Sequence, residues 1–134
     1  MINFSNDKAI IDSLDVSGFF VGWPSPPNEA TFRNILKNSQ FIQMATIDSK
    51  LIGFVNAISD LTLTAYIPLL EVLPEFKGQG LGKKLIENIK IELKDFYMID
   101  ICCDEDVVPF YKKLGFKQGQ SMFLRNYQMQ GGIS

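Results

Sequence analysis

Apolar and polar residues recur along the chain at spacings that assign most of it to short elements. Residues 2–5 read as a short strand. Between residues 10 and 20, apolar side chains at 10, 11, 14, 16, 19 and 20 make a rough helical stripe, weakened by Gly18. Gly22-Trp23-Pro24-Ser25-Pro26-Pro27 predicts a stiff extended loop, because three prolines forbid regular structure. Asn28 stands as N-cap of a helix running to about Lys37, with Ala30 or Thr31, Ile35 and Leu36 turned inward. Residues 41–47 and 51–58 are β-rich runs, and Asp48-Ser49-Lys50 between them predicts a hairpin.

Residues 63–73 form a third apolar run. Pro68 inside it removes a ladder donor, which predicts a bulge. Leu81, Leu85, Ile86, Ile89 and Leu93 then recur at helical spacing, with lysines mostly on the other face. Residues 98–103 read as a strand, 107–113 as a short helix ended by Gly115, and 117–127 as one or two final strands. The order is hairpin, strand, glycine loop, helix, strand, helix, strand. It predicts an α/β (α+β) domain over residues 1–134, a single mixed, mostly antiparallel sheet flanked by helices.

Composition narrows the chemistry. The chain has 134 residues and no histidine, which excludes Ser-His-Asp and Cys-His sites and any imidazole-ligated zinc. Cys102 and Cys103, the only cysteines, are adjacent and fit neither a disulfide framework nor a CxxC metal motif, so no metal is expected. A net charge of −2 argues against nucleic acid as partner, although the lysines at 77, 83, 84, 112 and 113 keep a local patch open. Asn3, Asn6, Asp7 and Lys8 fit no signal peptide, and no apolar run reaches the roughly 18 residues of a membrane span. A reduced, cytoplasmic chain is the expectation.

The candidate ligand site is Lys77-Gly78-Gln79-Gly80-Leu81-Gly82-Lys83-Lys84, between a strand and a helix. Glycines there allow tight turning and close backbone approach at the partly positive helix N-terminus, which suits a phosphate or pyrophosphate. A turn that merely needs positive φ would use the same residues. A Walker loop needs glycine at 77 and Ser or Thr at 84, and the dinucleotide fingerprint needs glycine at 83; all three positions are lysine.

The stretch from Leu70 through Leu85, with Val72-Leu73-Pro74 ahead of Lys77, Gly80 and Gly82, resembles motif A of the GNAT superfamily of acyl-CoA-dependent N-acetyltransferases. Lys77 departs from the family's usual Arg or Gln. The stretch from Cys103 through Phe116, ending Phe110-Tyr111-Lys112-Lys113-Leu114-Gly115-Phe116, resembles the family's motif B, and is most similar to that of aralkylamine N-acetyltransferases. This resemblance implies acetyl-CoA as cosubstrate, lying where the fourth and fifth strands splay apart. The backbone of Val72 and Leu73 would meet its pantetheine arm. Lys77, Gly78, Gln79, Gly80, Leu81, Gly82 and Lys83 would hold the pyrophosphate. Phe110 and Asp104 would complete the cofactor wall, Asp104 standing where many relatives have Asn.

The implied reaction is direct attack of a primary amine on the thioester. An alkylamine of pKa about 10.4 is unprotonated in roughly one molecule in 2,500 at pH 7, a handicap of about 4.6 kcal/mol. A base or a water chain must take the proton. Glu71, a lone carboxylate in an apolar strand, is the candidate, with a strand-end residue facing solvent or pairing with a lysine as the plain alternative. Tyr111 matches the family tyrosine that protonates the departing thiolate; packing alone is its alternative. Phe19, Phe20 and Trp23 are either a pocket wall for the amine or plain core. A small amine is favoured, with the chain acting as monomer or homodimer. The rival reading is a non-catalytic acyl-CoA-binding sensor of the same fold.

Overall fold

The computed structural model describes residues 1–133. Five strands form one sheet in chain order: β1 (Asn3–Ser5), β2 (Phe41–Ile47), β3 (Lys50–Ser59), β4 (Thr64–Val72) and β5 (Met98–Ile101). The first four are antiparallel neighbours, and β4 pairs with β5 in parallel. This is the mixed, mostly antiparallel sheet expected.

Three α-helices accompany it: α1 (Glu29–Asn38), α2 (Leu81–Glu92) and α3 (Val108–Lys113). The Asn28 side chain caps α1 by accepting the Thr31 N–H at 2.8 Å. The inward face of α1 is Thr31, Phe32 and Leu36; Ile35 is half-buried and Ala30 exposed. On α2 the residues at helical spacing, Leu81, Leu85, Ile86 and Ile89, are all buried. Each such side chain stabilises the fold by about 1.5–3 kcal/mol relative to exposure.

The sheet is covered on both sides. One cluster joins α2 to Ala45, Ile52, Val55, Ala57, Ala65 and Ile67, with Tyr111 and Leu114 at its margin. The other joins Phe32 and Leu36 of α1 to Ile11, Leu14, Val16, Ile42, Met44, Leu51 and Phe54. Two irregularities shape the strands. A register shift between Ala45 and Thr46 leaves Ile52 extra on β3, so Leu51 and Phe54, three apart, share one face. The second lies where Pro68 predicts it. Asn56 faces Leu69 and Ile58 faces Tyr66, which leaves Ile67 and Pro68 both opposite Ala57.

Two sequence expectations are corrected. The stripe over residues 10–20 is not an α-helix. It is a 3-10 turn at Lys8–Ser13, after which Asp15 bridges to Lys50, and Gly18 (φ 93°) and Phe20 (φ 62°) turn the chain. The glycine and the Asp15 bridge draw the backbone away from helical geometry. Residues 117–126 carry no strand and are exposed throughout. Gln118, Gly119 and Gln120 present no apolar face, and Met122, Phe123 and Leu124 are consecutive instead of alternating, so no register buries one side. β5 also stops at Ile101, before the cysteines.

Candidate active site

The parallel ladder between β4 and β5 has four pairs and ends at Ile67 opposite Ile101. Beyond it β4 continues to Val72 with nothing beside it on that edge. The two chains part at the Pro68 bulge, and a cleft of about 1090 Å³ opens between them. Leu73 donates its N–H to the Ile52 carbonyl at 2.9 Å, toward β3. Successive residues of an antiparallel strand direct their backbone groups to opposite edges, so Val72 and Leu70 present theirs to the cleft. Leu73 does not. Its side chain is buried, its carbonyl accepts the Phe76 N–H, and it forms no part of the cleft lining. Of the two residues expected to meet the pantetheine arm, only Val72 has free backbone groups there.

The glycine loop closes one end. Gly78 (φ 80°) and Gly80 (φ 79°) are both left-handed, and Gly80 is the N-cap of α2 with no side chain capping it. The first N–H groups of α2 are thus left to a ligand, at the positive end of the helix dipole. A Cβ on either glycine would meet nothing within 4 Å, so the conformation, not crowding, requires glycine. Lys77, Gly78, Gly80, Leu81, Gly82 and Lys83 all line the cleft, whereas Gln79 faces elsewhere. Gly82 sits beside α3: a Cβ there would lie 3.5 Å from the Phe110 ring, an ordinary van der Waals contact, so space does not require glycine at this position.

The opposite wall is Cys102, Cys103, Asp104, Phe110 and Tyr111. Tyr111 is 8% exposed, its ring edge-on to Phe110 and Phe116 at 5.0 and 5.7 Å. Its hydroxyl has no hydrogen-bond partner among the described residues. Burial first, then the nearby Cys103 thiol, pushes its pKa up to about 12. The Cys102 sulfur lies 3.6 Å from the Ser121 hydroxyl, which first, with the Tyr66 hydroxyl second, draws its pKa down. Burial and then Asp104 push Cys103 up. Both cysteines line the cleft, Cys102 half-buried and Cys103 exposed.

Glu71 reaches across to the N-terminal loop. Its two carboxylate oxygens accept the N–H groups of Phe20 and Val21 at 2.9 and 3.3 Å. It is neither an idle strand end nor the partner of a lysine. On the far side of the proline loop, Ser25 donates its N–H to Gln130 Oε1 at 2.8 Å. These contacts hold Trp23 at the cleft, edge-on to Phe20. Phe19 and Phe20 are core: they pack on Phe32, and Phe19 also on Phe54. Trp23 alone of the three aromatics lines the cleft. Phe123 and Arg125, with the guanidinium 4.5 Å from the ring centre, line it too. The sequence reading missed both, because a strand was expected where they stand.

Among the described residues no cluster of three or more His, Cys, Asp or Glu could hold a metal, and no helix is long and apolar enough to cross a membrane.

Comparison with known proteins matches this geometry to a family. The model of the acetyltransferase (GNAT) domain matches residues 21–128. The uncharacterized N-acetyltransferase ycf52 of Pyropia yezoensis is 39% identical over 102 residues, covering 72% of this chain and 58% of its own. The chloroplastic GCN5-related N-acetyltransferase 2 of Arabidopsis thaliana is 34% identical over 130 residues, covering 80% of this chain and 50% of its own. The chain therefore spans somewhat over half, or half, the length of these two relatives. A Deinococcus radiodurans protein assigned as an acetyltransferase superposes with a TM-score of 0.90 at 45% identity, over 99% of this chain and 94% of that one. A GNAT family acetyltransferase from Streptococcus pneumoniae, at 20% identity and a TM-score of 0.72, shares the fold. With its splayed strands, uncapped glycine loop and matching sequence over four-fifths of its length, the chain belongs to the GNAT acetyltransferase family.

Proposed function

We propose that the chain transfers the acetyl group of acetyl-CoA to a small primary amine by direct attack. The observation that carries this is Tyr111: an unpaired hydroxyl on the wall of a cleft whose other side offers the free edge of β4 and whose end is the uncapped N-terminus of α2. The glycine loop would take the pyrophosphate, with Lys77 and Lys83 adding charge. Val72 would pair with the pantetheine amide. The thioester carbonyl would then lie between Glu71 and Tyr111.

In the reaction the amine nitrogen forms a bond to the carbonyl carbon, the carbon–sulfur bond breaks, and the amine proton leaves. An acid near 12 delivering its proton outright to a thiolate whose conjugate acid lies near 8.5 runs uphill by about 5 kcal/mol. Tyr111 thus acts by hydrogen-bonding the sulfur as its charge develops. The proton that finally neutralises the thiolate derives from the amine nitrogen, whose acidity rises once it is bonded to carbon. Glu71, which holds two N–H groups and keeps lone pairs free, accepts the ammonium form on arrival and relays its proton directly or through water.

Trp23 and Phe123 support an amine with a small apolar or aromatic body. The free thiols of Cys102 and Cys103 suit a reducing compartment such as the cytoplasm. The test is thiol release from acetyl-CoA with a panel of aralkyl amines, diamines and peptides, alongside calorimetric titration with CoA. Release with a small amine supports the proposal. CoA binding with no release for any amine would show a non-catalytic acyl-CoA sensor instead.

A further inference from the structure

Asn56 is an unusual residue to find in the middle of β3. It is 1% exposed, and a buried carboxamide is tolerated only where its polar atoms are paired. Its Nδ2 donates to Ser39 Oγ at 3.0 Å, and that hydroxyl donates in turn to the Ile35 carbonyl at 2.7 Å. Its Oδ1 accepts the backbone N–H of Leu69 at 3.1 Å. Leu69 directly follows Pro68, at the bulge where β4 leaves β5. A side chain here takes the place of a ladder acceptor, on the residue that restarts the register after the extra position.

The alternative register shows what this bond holds. Were the bulge ironed out, residues 69–72 would slide by one against β3. A one-residue slip turns every side chain to the other face and every backbone group to the other edge. Leu70 and Val72 would then point their N–H and C=O groups at β3, and Leu69 and Glu71 theirs at the cleft. The Glu71 side chain would leave the Phe20 and Val21 N–H groups it now accepts. Pro68 disfavours the regular ladder by lacking an N–H, but it does not say which residue restarts the pairing. The Asn56 amide does. Its anchorage through Ser39 to the last turn of α1 fixes where that acceptor stands.

We propose that Asn56 is a positioning residue for the acetyl donor, a register lock whose carboxamide holds Leu69 so that Leu70 and Val72 keep their backbone groups in the cleft. The inference rests on the reading of the cleft as the acetyl-CoA site. Asn56 is remote from the reacting atoms and acts through β4, so it affects donor binding more than the chemical step.

The test compares Asn56→Ala with Asn56→Asp, which keeps an acceptor at the Oδ1 position. Gln43→Ala serves as a destabilised control that severs a half-buried side-chain bond to Glu92 on the other side of the sheet. In Asn56→Ala the Kd and KM for acetyl-CoA should rise about ten-fold, the effect of one hydrogen bond, with kcat within about three-fold. Hydrogen exchange at the Leu69 amide should speed up by a similar factor. Asn56→Asp should melt lower yet keep acetyl-CoA Kd and Leu69 protection within about two-fold. Gln43→Ala should lower the melting temperature and leave both unmoved. Should Asn56→Ala fail to fold, Ser39→Ala, which removes the anchor, should move Kd and Leu69 exchange about three-fold in the same direction. Wild-type Kd and Leu69 protection in a folded Asn56→Ala would overturn the lock, as would equal loss in Asn56→Asp. The exchange measurement needs no ligand. A wild-type chain that failed to bind acetyl-CoA would therefore refute the reading of the cleft, while Leu69 exchange still decided the lock.

Discussion

The two ends of the sheet are built on opposite principles. From β1 to β4 each strand pairs with the next in chain order, and both faces are covered by α1 and α2. Phe54 there is fully buried and meets the Phe32 ring at 4.9 Å and the Phe19 ring at 5.4 Å. From β4 to β5 only four pairs hold before the strands part, and the groups that face each other are a strand edge, a helix N-terminus and an unpaired hydroxyl. The closed end supplies rigidity, and the open end leaves unsatisfied backbone and side-chain groups that a ligand can satisfy. Stability and function are thus separated along the sheet, and variants at the two ends should fail in different ways.

The largest expected effect is at the closed end. Phe54→Ala should lose about 3–5 kcal/mol of stability in denaturant titration, with the KM for acetyl-CoA little changed in whatever fraction stays folded. A large KM change would mean that the two ends are not separable. At the open end, Tyr111→Phe should lower kcat about 100-fold, equivalent to about 2.7 kcal/mol, while the melting temperature holds and CoA still binds. Undiminished turnover would remove the hydroxyl from the mechanism. Glu71→Gln should lower kcat/KM for the amine about ten-fold. Glu71→Ala should in addition expose the 20–23 loop to proteolysis, because both N–H groups lose their acceptor. Gly80→Ala should weaken CoA binding about five-fold, since a left-handed residue other than glycine costs about 1–2 kcal/mol. The smallest effect is a flat one. With Tyr111 at about 12, its donor stays protonated, so the rate should climb with amine deprotonation and show no descending limb from pH 7 to about 10. A fall in that range would place another titrating group at the sulfur.

Local patterns made most of the closed end readable in the sequence. The stripe of Leu81, Leu85, Ile86 and Ile89, the hairpin at Asp48-Ser49, the Asn28 cap and even the Pro68 bulge are short-range features whose physics lies within a few residues. The glycine loop was legible for the same reason, and the family motifs supplied its likeness to known acetyltransferases. What escaped depends on pairing across long separations. The Glu71 contacts with Phe20 and Val21 span about fifty residues, and nothing in either segment announces the other. Leu73 looked equivalent to Val72 until the ladder set which edge each one faces. Residues 117–126 hold apolar residues but in a consecutive run, not an alternating one, and so Phe123 and Arg125 reach the cleft from an irregular segment.

The parted strands carry a second consequence, concerning self-association. A cleft that exposes the edge of a central strand invites any extended peptide, including a stretch of another unfolded molecule, to add itself to the sheet. Pro68 stands at the mouth of that edge and has no N–H to lend to an intruder. The bulge it sits in twists the strand away from the flat geometry that stacking fibres require. The distortion that makes room for a ligand therefore also acts as a gatekeeper, guarding the open edge against strand addition while the cleft is empty.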